Sequence, residues 1–322
     1  MVWNCTTAAE PAPPVRKANA VNVDVAASLL ARARETGAPS IAVVGASKNA
    51  GKTVVIGALI EAIERAQSPL GVCSIGRDGE TSDALDGSAK PRVHLRAGAV
   101  FATAATLVPR TPALEILSVT GERSALGPIV LARVRAAGFF EIAGPPSAAA
   151  LRRIVGALGA EGRFVLVDGA VDRTAALRDG ADAIVVAVGA ATAPALSRAL
   201  DEVAALTRRL QLPLVDPLRD YVRVEGALTP SLAAAYVRGA EKRQIVVRDP
   251  TAVTLRGRTF LELSAQLDLR CERSFNVIGC TVAPMARERS FEPRSFARAV
   301  AQRTGLPAYD VYAGTVVEPA AA

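Results

Sequence analysis

Histidine, paired cysteines and aromatic residues are scarce in this chain, and each scarcity excludes a class of protein. The only histidine among 322 residues, His94, lies between apolar neighbours, which favours a structural role over a Ser-His-Asp triad or a multi-histidine metal site. The four cysteines form no C-x-x-C pair, which disfavours a zinc site or disulfide framework and predicts a reducing compartment. Because aromatics make up only 4%, the core must consist of aliphatic residues, which favours α/β layers over a sandwich.

The chain also lacks a long apolar run and a dense basic face. No apolar stretch reaches the length of a membrane span, and the N-terminus has no basic region followed by an apolar core, so we expect a cytoplasmic protein without membrane contact. The formal charge is +7, from 38 basic and 31 acidic residues. The arginines are scattered and no run of them interleaves with aromatics, which disfavours nucleic-acid binding.

The most informative stretch is IAVVGASKNAGKTVVIGALIEAI, residues 41–63. It reads as a buried strand, a loop of small residues ending in Gly-Lys-Thr, and a helix, which is the arrangement that cradles a nucleotide's phosphates. Ala46 stands where the usual motif has its first glycine, and the loop is expected to turn at Gly45 instead. We therefore predict that phosphate is bound by Gly45, Ala46, Ser47, Lys48, Asn49, Ala50, Gly51, Lys52 and Thr53. This segment is called the 45–53 loop below.

Two further acidic positions complete the predicted site. The segment RFVLVD, residues 163–168, is an apolar strand ending in Asp168, a position typical of the carboxylate that holds Mg²⁺ or its water. We predict Lys52 and Asp168 as the catalytic residues, and Thr53, Asp168 and Asp78 as Mg²⁺ ligands. Asp78, with Glu80 and Asp83 nearby, follows a second apolar strand, although a solvated turn explains these residues equally well. No Asn-Lys-x-Asp guanine signature is present, so ATP is the expected nucleotide.

Alternating strand and helix patterns extend along the rest of the chain and predict an α/β fold. We expect an N-terminal tail and helix over residues 1–37, a P-loop NTPase domain with a mostly parallel central sheet flanked by helices over 38–218, and a smaller C-terminal α/β region over 219–322. A helix is predicted from about Ala99, and a buried parallel strand over 212–216 would place Asp216 at the edge of the sheet.

In this order the motifs resemble a known family. Broadly, they are similar to the P-loop class that includes dethiobiotin synthetase. More narrowly, the chain resembles the ATP-binding B subunit of the lysine 5,6-aminomutase reactivase. The resemblance is carried by GASKNAGKT (45–53), SIGRDGE (74–80), KPRVHLRAGAVFATA (90–104), VDGAVDR (167–173) and GALTPSL (226–232), and it extends over most of the chain.

The resemblance implies a Mg²⁺-dependent ATPase that reactivates a cobalamin-dependent amino-acid mutase, with that mutase and a second reactivase subunit as partners. A homodimer is also open, although Lys48 stands one place later than the intersubunit lysine of dimeric relatives. Two other functions remain as alternatives: an ATP-dependent ligase of the dethiobiotin-synthetase type, and a nucleotide-binding scaffold without catalysis. The apolar start of the helix after Thr53 argues against a polar substrate there, which favours the accessory ATPase over the ligase.

Overall fold

The computed structural model describes residues 22–75, 92–109, 111–160, 162–169 and 182–320. Its helices are α1 (Val23–Glu35), α2 (Lys52–Arg65), α3 (Ala148–Gly159), α4 (Leu196–Leu210), α5 (Pro230–Arg238), α6 (Gly257–Ser264) and α7 (Pro293–Thr304). Its strands are β1 (Ser40–Gly45), β2 (Leu70–Ser74), β3 (Val93–Leu95), β4 (Val100–Ala104), β5 (Leu114–Ser124), β6 (Gly127–Val134), β7 (Gly138–Phe140), β8 (Phe164–Asp168), β9 (Ala183–Gly189), β10 (Tyr221–Arg223), β11 (Gln244–Val247), β12 (Leu269–Cys271), β13 (Asn276–Ala283), β14 (Ala308–Asp310) and β15 (Thr315–Val317).

A ten-stranded sheet in the order β15-β14-β13-β9-β1-β8-β2-β4-β6-β5 organises the described chain. The pairs from β14 through to β4 are parallel, whereas β15, β6 and β5 add antiparallel edges. The central strand β9 is buried along its whole length, as expected of a parallel strand covered on both faces. The predicted α/β fold with a mostly parallel central sheet flanked by helices is therefore confirmed.

Helices cover the sheet on both faces and enclose a core of small aliphatic side chains. On one face, α1 and α2 pack against alternate residues of β1 and β9. On the other face, α3, α4 and α7 pack against the intervening residues of the same strands. The aliphatic core expected from the low aromatic content is thus present. None of the described helices combines the length and apolarity that a membrane-spanning helix needs.

A second, smaller sheet stands beside α4. Strands β10, β11 and β12 form this parallel three-stranded sheet, and with α5 and α6 it encloses its own apolar core, to which Ala205 of α4 contributes. The strands β13, β14 and β15, which come later in the chain, belong to the large sheet. The segment predicted as one C-terminal region, 219–322, is therefore divided between the two sheets.

Two local predictions are wrong. The helix expected from about Ala99 is strand β4, which pairs with β2 and β6, because the segment has valine, phenylalanine and threonine among its alanines and lies in the sheet interior. The strand expected over 212–216 makes only a single bridge, from Leu214 to Cys271. Pro213 and Pro217 lack the N–H groups that a central strand must donate.

Candidate functional site

The 45–53 loop lies at the carboxyl edge of the large sheet, between β1 and α2. The Ala46 N–H donates to the Ala187 carbonyl at 2.8 Å, which extends the pairing of β1 with β9 by one residue. The chain then reverses through two left-handed residues, Asn49 with φ 61° and Gly51 with φ 95°. Glycine and asparagine are the residues that adopt this conformation most readily. The backbone thus folds back on itself before α2 begins.

The Lys52 side chain lies across the start of this loop. A Cβ atom placed on Gly45 would be 2.9 Å from Lys52 Nζ and 2.9 Å from the Ser47 carbonyl oxygen. Gly45 is therefore the position where only hydrogen fits, whereas Ala46 directs its methyl group toward the core beneath α3, α4 and α7. Within the described residues, the Lys52 ammonium has no carboxylate within ion-pair distance. This arrangement holds a cation over a concave backbone.

Within the part of the chain that the structure describes, no side chain caps the N-terminus of α2. Its first turn contains no acidic residue, and Gly51 provides no side-chain cap. Among the described residues, the amides of Asn49, Ala50, Gly51 and Lys52 donate to no other backbone or side-chain acceptor. Free amides at a helix N-terminus, next to the positive end of the helix dipole, form a site for an anion. The loop therefore fits a phosphate group.

The ends of neighbouring strands support the loop from below. The Ser47 and Thr192 hydroxyl oxygens lie 3.1 Å apart, and Thr192 Oγ1 also accepts the Gly189 N–H at 3.1 Å. A Cβ atom on Gly51 would be 3.0 Å from Ala283 Cβ and 3.7 Å from Tyr312 Oη. Residues at the ends of β9, β13 and β14 thus pack closely against the loop.

Asp168 reaches the same edge from β8, which is the direct neighbour of β1. Its Cα pairs with that of Val43 on one side and that of Ser74 on the other. The Ile75 N–H donates to the Asp168 carbonyl at 3.0 Å, which holds the strand end in place, and the Asp168 side chain is half-buried. Asp168 therefore lies on the strand next to β1, level with Val43, which is two residues before Gly45.

The third predicted Mg²⁺ ligand, Asp78, lies outside the described residues, as do Glu80 and Asp83. Thr53, in the first turn of α2, is exposed. Among the described residues no cluster of three or more His, Cys, Asp and Glu side chains is present. Because Mg²⁺ is usually held by one or two protein oxygens together with phosphates and water, Thr53 and Asp168 are suited to holding it beside a bound phosphate.

Asp216 does not belong to this edge. It lies beside the small sheet, where its backbone N–H donates to Gln244 Oε1 at 2.9 Å and its own carboxylate accepts the Leu218 N–H at 3.0 Å. The expectation that Asp216 would contact a base or substrate at the edge of the large sheet is therefore wrong, because the strand that would place it there is absent.

A cavity of about 220 Å³ extends from the loop to α4 and the start of α6. Residues of the loop, α4 and the segment before α6 form its described lining: Gly45, Ala46, Ser47, Lys52, Glu202, Ala205, Leu206, Arg209, Leu255, Arg256 and Gly257. Arg209 is buried, and its Nη1 donates to the Val253 carbonyl at 3.0 Å and the Leu255 carbonyl at 3.4 Å. This bracing fixes the 253–255 segment against α4.

Glu202, Arg209 and Arg256 are not among the residues predicted from the sequence to form the site. They are 54 positions apart at most, but more than 140 positions after the 45–53 loop, so no local motif links them to it. The sequence did contain one indication that Arg209 has a special role. Arg209 falls on the apolar side of α4, next to Leu206 and Leu210, and a buried arginine at a core position of an amphipathic helix indicates a specific task.

Burial raises the pKa values of two groups near the ends of the strands. Burial, together with the Asp182 and Asp168 carboxylates, raises the pKa of the Cys73 thiol far above its usual range. Burial and the neighbouring Asp310 carboxylate raise the pKa of the Tyr312 hydroxyl. Both groups therefore stay protonated at neutral pH, so neither adds negative charge beside the loop.

Comparison with family models, with curated proteins and with solved structures returns no match. The geometry of the 45–53 loop and its surroundings is therefore the basis for assigning a function.

Proposed function

We propose that this chain is a P-loop NTPase that binds ATP with Mg²⁺ at the 45–53 loop and hydrolyses it. The observation that carries the proposal is the position of Lys52, whose ammonium has no carboxylate partner among the described residues and lies over Gly45, 2.9 Å from where a Cβ would stand. The amides at the N-terminus of α2, which have no acceptor among the described residues, belong to the same short loop. A cation and free amides in one loop at a helix N-terminus support the binding of a phosphate there.

Each side chain has a defined task in this proposal. The amides of Asn49 to Lys52 would bind the phosphate oxygens, and the Lys52 ammonium would neutralise the charge that develops on the terminal phosphate. Thr53 and Asp168 would hold Mg²⁺, which supplies charge neutralisation at the phosphates when bound. Asp168 is suited to this because its strand end is fixed by β2. The 45–53 loop, fixed by Thr192 and Ala283, keeps these groups aligned.

Two sequence features favour ATP as the nucleotide and an accessory role for the protein. The sequence contains no Asn-Lys-x-Asp guanine signature, which favours ATP. After Thr53, α2 continues with Val54, Val55 and Ile56, and this apolar start argues against a polar ligase substrate there. We therefore favour an accessory ATPase that reactivates a cobalamin-dependent amino-acid mutase, as the family resemblance implies.

The Mg²⁺ assignment is tested by titrating a fluorescent ATP analogue into the protein with and without Mg²⁺. We expect Mg²⁺ to tighten binding to the wild type, and Asp168→Asn and Thr53→Ala to lose most of that gain. Asp201→Asn is a matched control, since Asp201 is on α4 and pairs with Arg303 at 2.6 Å. An unchanged Mg²⁺ effect in both site variants would contradict the assignment.

The accessory role is tested with a cobalamin-dependent amino-acid mutase that has been inactivated by turnover. We expect this protein, with ATP and free cobalamin, to restore mutase activity, and we expect Lys52→Ala not to restore it. If the wild type restores no activity although it binds ATP, the accessory role is wrong while the nucleotide site stands.

A further inference from the structure

A second cavity, of about 430 Å³, also adjoins the 45–53 loop. Its described lining consists of Asn49 from the loop, Ala191 after β9, and residues 285–289, which follow β13. This volume falls within the roughly 300–1,000 Å³ that is usual for sites of small molecules. A ligand held by the amides of the loop therefore has room to extend past Asn49 into this cavity.

The residues that follow β13 form a short hairpin, residues 284–291, which is called the 284–291 hairpin below. Its two arms are joined by the Ala286 N–H, which donates to the Arg289 carbonyl at 2.9 Å, and by the Phe291 N–H, which donates to the Pro284 carbonyl at 2.8 Å. Pro284 is buried at the base of the hairpin. The backbone of the hairpin is thus held in place by contacts within the protein itself.

The base of the hairpin lies directly against the 45–53 loop. Ala283, the last residue of β13, has its Cβ 3.0 Å from the position that a Cβ atom would occupy on Gly51. The Ala283 carbonyl also accepts the Ala190 N–H at 2.9 Å, which joins the end of β13 to the residue that follows β9. The position of the hairpin relative to the loop is therefore set by close contacts.

The hairpin contributes two arginines to the lining of this cavity. Arg287 is exposed and Arg289 is half-buried, and within the described residues neither guanidinium group forms a hydrogen bond or an ion pair. Glu288 is the one carboxylate in the described lining, so the hairpin keeps a net positive charge. Guanidinium groups present paired N–H donors whose spacing matches the oxygens of a phosphate. Two of them without a protein partner, next to a phosphate loop, are suited to binding further phosphate oxygens.

We propose that Arg287 and Arg289 bind phosphate oxygens of the nucleotide that the 45–53 loop holds. The loop amides and Lys52 bind one part of the triphosphate, and the two guanidinium groups of the hairpin bind another part. The ligand chemistry that the cavity recognises next to the loop is thus a polyphosphate chain. The inference rests on the proposed function, because it requires a nucleotide at the loop.

The test is calorimetric titration of the full chain, with Mg²⁺, using ATP and inorganic tripolyphosphate as separate ligands. Tripolyphosphate has the phosphate chain without the nucleoside, so it reports phosphate contacts alone. We expect the wild type to bind both ligands, and Arg287→Gln and Arg289→Gln each to weaken the binding of both by about tenfold. Because Arg287 is exposed, Arg287→Gln keeps the test valid if Arg289→Gln fails to fold.

Arg298→Gln is the matched control, since it removes the same charge from an exposed position on α7, and it should bind both ligands like the wild type. The inference is overturned, with the nucleotide site left in place, if both hairpin variants bind ATP and tripolyphosphate like the wild type. It is also overturned if Arg298→Gln loses as much affinity as they do, or if they lose affinity for ATP alone. If the wild type binds neither ligand, the proposed function fails and this inference fails with it.

Discussion

Lys52 Nζ lies 2.9 Å from the position that a Cβ atom would occupy at Gly45, and Lys52 Cδ lies 3.2 Å from the same point. The two residues are seven positions apart: Gly45 begins the 45–53 loop and Lys52 is its last residue but one. The lysine therefore closes the loop by crossing over the one residue that has no side chain. Any side chain at position 45 would move the ammonium group away from the amides that it accompanies.

Gly45→Ala is accordingly predicted to weaken ATP binding by about tenfold or more, which corresponds to at least about 1.4 kcal/mol. The reason is displacement of Lys52, since the new methyl group would also collide with the Ser47 carbonyl oxygen. Affinity is measured by titration with a fluorescent ATP analogue. Wild-type affinity in Gly45→Ala would mean that the lysine is not required where the structure places it.

Gly57→Ala, in α2, provides the matched control and is a prediction in its own right. Gly57 lies on the exposed side of α2, and no atom lies within 4 Å of a Cβ placed there. Alanine in a helix interior is favoured over glycine by about 0.5–1 kcal/mol. We therefore expect the free energy of unfolding, measured in urea, to rise by this amount while ATP affinity stays unchanged. A loss of stability would indicate that α2 is not helical at this position.

Arg209→Met is predicted to lower the free energy of unfolding by about 1–3 kcal/mol, because the buried Val253 and Leu255 carbonyls lose their donor. Its neighbour Arg208 is exposed, so Arg208→Met should change stability by no more than about 0.5 kcal/mol. Urea denaturation of the two variants side by side checks this. Equal effects would show that Arg209 does not brace the 253–255 segment.

Because its thiols are buried, the protein is predicted to have a lower free energy of unfolding at alkaline pH. Burial raises the pKa of Cys280 to about 12, whereas an unfolded cysteine has a pKa of about 8.5. Above about pH 8.5 the unfolded chain therefore binds fewer protons than the folded chain, and the free energy of unfolding falls by about 1.4 kcal/mol per pH unit for each such thiol.

Cys280→Ala should remove one such contribution, so its stability should fall less steeply than that of the wild type between about pH 9 and 11. Urea denaturation across this range gives the slopes. Comparing the two proteins cancels the contributions of other groups, including the tyrosines. Parallel slopes would mean that Cys280 titrates normally and is not enclosed between β13 and α7.

Much of the fold was predictable because its signals are local. The strand before the 45–53 loop, helix α2, and the Pro293–Thr304 helix have patterns of apolar residues, prolines and caps that lie within the elements themselves. The helix predicted from about Ala99 was wrong because the alanines of this segment favour a helix. The segment forms a strand because it lies between β2 and β6, which are distant in sequence. The strand predicted over 212–216 was wrong because Pro213 and Pro217 cannot donate backbone hydrogen bonds, although the segment has an apolar pattern.

Some residues of the candidate site were likewise predictable from local motifs, and others were not. The 45–53 loop and Asp168 could be found because a strand, a turn and a charged residue occur together in short motifs. Glu202, Arg209 and Arg256 could not be assigned to the site, because the fold of α4 against the small sheet brings them to the loop. Their chemistry depends on tertiary contacts, such as the approach of the Glu202 carboxylate to Gly257.

The central claim is that the Lys52 ammonium binds the phosphates of ATP, and its most direct test is the affinity of Lys52→Ala for ATP with Mg²⁺. Lys242→Ala is the control, since Lys242 is an exposed lysine between α5 and β11. We predict that Lys52→Ala loses about a hundredfold in affinity, or about 2.7 kcal/mol, while Lys242→Ala binds like the wild type. Equal affinity of Lys52→Ala and wild type would contradict the account.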